Sequence, residues 1–206
     1  RTFFFGTKVA VSTTSFCAFG LLAWGKPFIT RWMGRSYADA YPVLVVLTVG
    51  LTFFLWQTAS ISLLYGTSRH KVLAILNSIE AVANLVLSLM LVRRYGMVGV
   101  ALGTTIPITI NALLLIPAYV CRTSKIDYFE YLKALSRTVA VSLIAMVLPA
   151  LISLKFATPD YKSLLMVGTL SMILYALPMW LFEFTPAETL VFRQAISSRL
   201  TMRSVN

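Results

Sequence analysis

A chain of 206 residues that is 58% hydrophobic and only 12% charged, with a mean hydropathy of +0.82, does not have the make-up of a soluble protein, which runs near about 50% apolar and about 25% charged. Its eighteen Lys and Arg against seven Asp and Glu give a net charge of +11. That surplus lies in the connections between apolar runs, with no basic stripe on a polar helix or sheet, which excludes a nucleic-acid partner and points to membrane topology and anionic lipid headgroups.

The first apolar run extends from Val9 to about Trp24 and ends at Gly25-Lys26-Pro27. A short amphipathic stretch, Phe28 to Tyr41, follows; Arg31, Arg35, Trp24 and Trp32 mark it as a membrane–water interface. The second run is Pro42 to Tyr65, the third Val72 to Val92, and the fourth Met97 to Cys121. A polar segment from Arg122 to Arg137 leads to a fifth run, Thr138 to about Leu154, and a sixth, Ser163 to about Phe182. Each has the length of one span, about 20 residues. Strand-type alternation is absent, and unpaired backbone groups are prohibitive in lipid, so the spans must be helices. The expectation is an all-α bundle of six membrane-spanning helices.

The tail, 183–206, has its own start signal. Thr185-Pro186-Ala187-Glu188 combines an N-cap, a proline at the first helical position and a capping-box Glu. Apolar residues then recur near helical spacing, with Arg193, Arg199 and Arg203 among the polar positions, as in an amphipathic helix lying on a membrane surface. The sequence begins with Arg1, and its first apolar run has no small-residue cleavage site. It reads as a span rather than a signal peptide, and the whole as a piece of a longer protein.

Arg1, Lys8, Arg69, Lys71, Arg122, Lys125, Lys133, Arg137, Arg193, Arg199 and Arg203 fall on the side shared by the two ends of the sequence. Lys26, Arg31, Arg35, Arg93, Arg94, Lys155 and Lys162 fall on the other. Eleven against seven places both ends in the cytoplasm by the positive-inside rule, in a cytoplasmic (inner) membrane.

Polar residues inside the spans are the functional candidates. Asn77, Glu80 and Asn84 are spaced by three and four and line one face of the third run. An ionisable group at that depth must face the bundle interior or water. Two readings stay open. Either these residues bond neighbouring helices, or they wall a hydrated substrate path with Glu80 as a proton or cation site. In the fourth run, Thr104 and Asn111 are seven apart on one face, and Pro107 between them removes a backbone donor. Gly96, Gly99 and Gly103 recur at three and four, a pattern that lets helices approach closely; with no preceding strand, they do not form a dinucleotide fingerprint. Hydroxyls such as Ser12, Thr13, Thr14, Ser15, Ser60 and Ser62 can bond their own helices and say little alone, as does Gln57.

Catalytic chemistry is missing from the pattern. There is no His-Glu-x-x-His, no Gly-x-Ser-x-Gly and no His/Cys cluster with metal-ligand spacing. Cys17 and Cys121 form no redox pair, and His70 stands alone in a polar connection. The expectation is a protein that is not an enzyme and needs no cofactor or metal.

Gly25-Lys26-Pro27-Phe28-Ile29, then Trp32-Met33-Gly34 with Tyr37 and Ala40, then Tyr65-Gly66-Thr67 with His70-Lys71, Asn77 and Asn84, and finally Tyr95-Gly96-Met97-Val98-Gly99-Val100-Ala101-Leu102-Gly103-Thr104-Thr105 follow one another in order. This succession resembles the C-terminal lobe of the multidrug/oligosaccharidyl-lipid/polysaccharide exporter superfamily, in its O-antigen and polysaccharide flippase branch. The resemblance implies residues 1–121 as the last four helices of the transporter lobe, 122–182 as two additional helices, and 183–206 as a cytoplasmic amphipathic tail. It further implies alternating-access transport of an undecaprenyl-diphosphate-linked oligosaccharide, with an N-terminal lobe of the same protein and a polysaccharide polymerase as partners. Asn77, Asn84, Thr104 and Asn111 would then offer neutral hydrogen bonds to sugar hydroxyls. The alternatives are an ion-coupled multidrug exporter of the same superfamily and a non-transporting membrane scaffold of a glycan-assembly complex.

Overall fold

The computed structural model describes residues 2–155 and 161–182, and among them every element is helical. The predicted amphipathic tail, 183–206, lies outside the described residues.

Helix α1 runs from Thr2 to Trp32, beyond both bounds of the expected first run. Gly25-Lys26-Pro27 does not end it: Pro27 withholds one N–H, but the helix continues until Gly34 takes φ 97. A 3₁₀ turn, Arg35–Ala40, then delivers the chain to α2, Tyr41–Trp56, with Pro42 in the first turn, where an N–H is not needed. Gln57, at φ −85 and ψ 6, interrupts the second span before α3, Thr58–Gly66. Helix α4 covers His70–Ile110, and a π turn, Asn111–Leu115, joins it to α5, Ile116–Ser124. The π turn comes just before Pro117, whose ring would otherwise meet the carbonyl four residues earlier.

Lys125 closes α5 in the left-handed region, and Asp127 caps α6, Tyr128–Ala145, by accepting a 3.0 Å hydrogen bond from the Phe129 amide. Met146 separates α6 from α7, Val147–Lys155, because Pro149 brings no N–H to the Ala145 carbonyl. Helix α8 is Tyr161–Phe182.

Among the described residues, four helical stretches are long and apolar enough to cross a membrane, not the six expected: Phe3–Trp32, Arg35–Trp56, His70–Ser124 and Tyr128–Ile152. Two physical facts account for the difference. The expected third and fourth spans are joined within one helical run of 55 residues, with only Gly96 breaking the helical backbone between them where a loop was expected. The expected sixth run contributes only the shorter apolar helix Leu165–Met179. The chain is a multi-pass membrane protein, with fewer helical stretches of spanning length than its hydropathy pattern suggests.

Helix α1 lies at the centre, packed on α2, α3 and α6, while α2 carries α4 on its other side. Small residues set the α2–α4 crossing: a Cβ at Gly50 would stand 3.1 Å from the Thr105 Cα, and the Thr105 hydroxyl donates to the Val46 carbonyl at 3.0 Å. Three buried clusters join the helices. Val11, Cys121, Tyr131 and Leu135 tie α1 to α5 and α6; Leu64, Leu73, Ile116 and Val120 tie α3, α4 and α5. Ala145, Tyr175 and Met179 tie α6 to α8, where the Tyr175 hydroxyl donates to the Ser12 carbonyl of α1 at 2.8 Å. Phe3 packs against the first two clusters. It thereby brings the start of α1 to the same end of the bundle as the α3–α4 and α5–α6 turns, with their exposed Arg69, Lys71, Arg122 and Lys125.

Candidate functional site

The α4 stretch doubles back on itself. Gly96 alone, at φ 58 and ψ −135, makes the reversal, a backbone state that a residue with a Cβ scarcely reaches. The legs 70–95 and 97–110 then run antiparallel in close contact. A Cβ at Gly99 would collide with the Leu91 carbonyl, and one at Gly103 with the backbone of Ser88. Glycine at these two positions therefore lets one leg's backbone rest on the other's.

Within that contact, polar side chains meet in two rungs. In the first, the Ser88 and Thr104 hydroxyls donate toward Asn84 Oδ1 at 2.9 and 3.1 Å. Both also lie within reach of the Val100 carbonyl, at 3.4 and 3.2 Å. Each hydroxyl has one proton, so two donors are shared between two acceptors. In the second rung, Asn111 Nδ2 donates to Glu80 Oε2 at 2.5 Å. Asn111 is buried, with 1% of its surface exposed, and its Oδ1 has no hydrogen-bond partner. Glu80, Asn111 and Pro107 line a cavity of about 130 Å³.

Of the residues singled out in the sequence, Glu80, Asn84, Thr104 and Asn111 are thus brought together, each bonded across the hairpin. Asn77 is exposed and stands apart from both rungs. Gly96, Gly99 and Gly103 act on the backbone, the first by its conformation and the other two by close approach.

A second polar centre lies outside the hairpin. The Tyr131 hydroxyl of α6 donates to Gln57 Oε1 at 2.9 Å, at the break between α2 and α3. Gln57 and Ser60 are almost fully buried, and Gln57 Nε2 has no hydrogen-bond partner. The signal was present in the sequence as a lone glutamine deep in an apolar run; its tyrosine partner, 74 residues away, had none. Other hydroxyls bond their own helices, as Ser12 does to the Lys8 carbonyl at 2.7 Å and Ser62 to the Thr58 carbonyl at 2.8 Å. The hairpin rungs and the Gln57–Tyr131 pair are therefore separate centres.

No protein-family model matches the chain, and no solved structure matches it. Over 85 residues it is 29% identical to a protein of Shigella flexneri named "Putative O-antigen transporter". The matched segment is 41% of this chain and 20% of that protein's length.

Proposed function

We propose that this chain supplies membrane helices to a transporter of lipid-linked glycans. The observation that carries the reading is the similarity to the Shigella protein, in a chain that is itself a multi-pass helical bundle. A glycan head cannot cross hydrocarbon unaided, and a helical bundle with polar rungs at membrane depth is a suitable frame for its passage. In this proposal the cargo is an oligosaccharide on undecaprenyl diphosphate, turned from the cytoplasmic to the outer leaflet by alternating access. The helices work with further helices of the same transporter, in an inner membrane with the basic end of the bundle cytoplasmic. Anionic headgroups contact that basic end, a polysaccharide polymerase receives the product, and the protein catalyses no covalent step.

The test is complementation. Cells lacking their own O-antigen transporter and supplied with the full-length protein should regain surface glycan. Expression at normal level with lipid-linked oligosaccharide still held in the cytoplasmic leaflet would refute the proposal. Such an outcome would favour the scaffold reading, to which a hairpin whose polar residues bond one another also lends itself.

A further inference from the structure

Two helices that lie side by side are interrupted at the same level. At the α2–α4 crossing Gly50 faces Thr105 and Ile108, and Thr105 bonds to the Val46 carbonyl, so α2 and the leg 97–110 run parallel. Gln57 lies seven residues beyond Gly50, and seven residues beyond Thr105 and Ile108 are Ala112 and Leu115. The break at Gln57 therefore stands beside the π turn, Asn111–Leu115, which packs on α2. At the break the Gln57 amide donates to the Phe54 carbonyl, three residues back rather than four, at 3.0 Å. A tight turn in one helix and a wide turn in its neighbour are both points at which helices bend.

The pieces beyond the two breaks belong together. Helix α3 packs on α5, and the cluster of Leu64, Leu73, Ile116 and Val120 draws only on α3, α5 and the first turn of α4. Helix α1 passes α3 at Gly6, where a Cβ would stand 3.3 Å from that of Ala59, so small groups meet just past the break. Each break also holds an unused half of a hydrogen bond. Gln57 is 0% exposed and Asn111 1%. Gln57 Nε2, a donor, and Asn111 Oδ1, an acceptor, both lack a partner, while the other end of each amide is bonded to Tyr131 or Glu80. Buried groups left unpaired are costly, and a complementary pair on neighbouring breaks is what a second position of the helices can use.

We propose that α3 and α5 swing as one unit about a hinge at Gln57 and Asn111–Leu115. In the first position, the one described above, Tyr131 latches Gln57; in the second, Gln57 Nε2 donates to Asn111 Oδ1. The bond from Tyr131 holds Gln57 toward α6 and so favours the first position. The inference rests on helix geometry and not on the glycan reading, because it is read from distances without transport.

The experiment is double electron–electron resonance on the full-length protein in lipid nanodiscs, with spin labels at exposed positions and every other cysteine replaced by alanine. The native Cys17 of α1 is paired with Tyr65→Cys across the hinge and with Leu51→Cys outside it, and Tyr65→Cys is paired with Arg122→Cys inside the moving unit. Tyr65 stands eight residues beyond Gln57, about 12 Å along the helix, so a bend of about 20° carries it by about 4 Å. The cross-hinge pair should show two distances, and the other two pairs one each. Tyr131→Phe should enrich the second distance about fivefold, the usual weight of one hydrogen bond, and Asn111→Leu should remove it. If Asn111→Leu does not fold, Tyr131→Phe decides alone. A single cross-hinge distance in both the parent and Tyr131→Phe, an unchanged ratio in Tyr131→Phe, or a second distance that persists in folded Asn111→Leu would overturn the proposal. Two distances between positions 65 and 122 would mean that α3 and α5 move separately, and would overturn it equally.

Discussion

The Tyr131 hydroxyl and the Gln57 side-chain carbonyl, 2.9 Å apart, connect α6 to the point where the second span is interrupted. Tyr131 is 1% exposed and Gln57 0%, so the bond is shielded from water. Tyr131→Phe leaves a buried acceptor unpaired and should lower stability by about 1–2 kcal/mol. Replacing both partners, as Tyr131→Phe with Gln57→Leu, should recover part of that loss. Thermal unfolding of the four proteins in one detergent checks both statements.

Two glycines should respond with opposite signs. Gly96→Ala places a Cβ at φ 58 and ψ −135, where space is open but the backbone state is unfavourable; a cost of about 1–3 kcal/mol is expected. Gly168, inside α8, also faces open space, with no such φ. Gly168→Ala should stabilise by about 0.5–1 kcal/mol through helix propensity. Paired melting curves measure the difference.

Asn84 and Thr104 lie 20 residues apart in sequence and 3.1 Å apart in space. A double-mutant cycle with Asn84→Leu and Thr104→Val should return a coupling of about 0.6 kcal/mol, the usual size for polar contacts between membrane helices. A coupling within error of zero would mean that the rung is not formed.

Asp127 caps α6 through the Phe129 amide. Asp127→Ala should cost about 1 kcal/mol, and Asp127→Asn much less, because both acidic and amide oxygens accept from the first turn. Loss of helicity on circular dichroism at temperatures below the main transition would locate the effect at the start of α6.

Hydropathy alone made much of this architecture legible. The helical class, the membrane environment and the glycines at the hairpin follow from run length, charge placement and spacing. The Asn77–Glu80–Asn84 stripe was visible too, but not its division, since Asn77 faces outward while Glu80 and Asn84 meet the second leg. A helical period places residues on a face; it does not say which edge of that face a neighbour will cover. The number of spanning stretches was misjudged for a related reason. Arg93-Arg94-Tyr95-Gly96 has the composition of a loop, yet one glycine reverses the chain between two helical legs with no loop residues between them. Similarly, the segment from Arg122 to Arg137 read only as a polar connection, although the spacing of Asp127 and Glu130 within it is that of a helix start. Tyr131 was beyond reach, because its bond to Gln57 depends on how α6 packs against α1 and α5.

The reversal at Gly96 also bears on how the protein is made. Its two legs touch at Ser88 and Val100, only twelve residues apart. Contacts so close in sequence need little loop-closure entropy. The pair can associate as soon as residues near 111 have left the ribosome, and so pass into the bilayer together, with Glu80 already joined to Asn111 rather than facing lipid by itself.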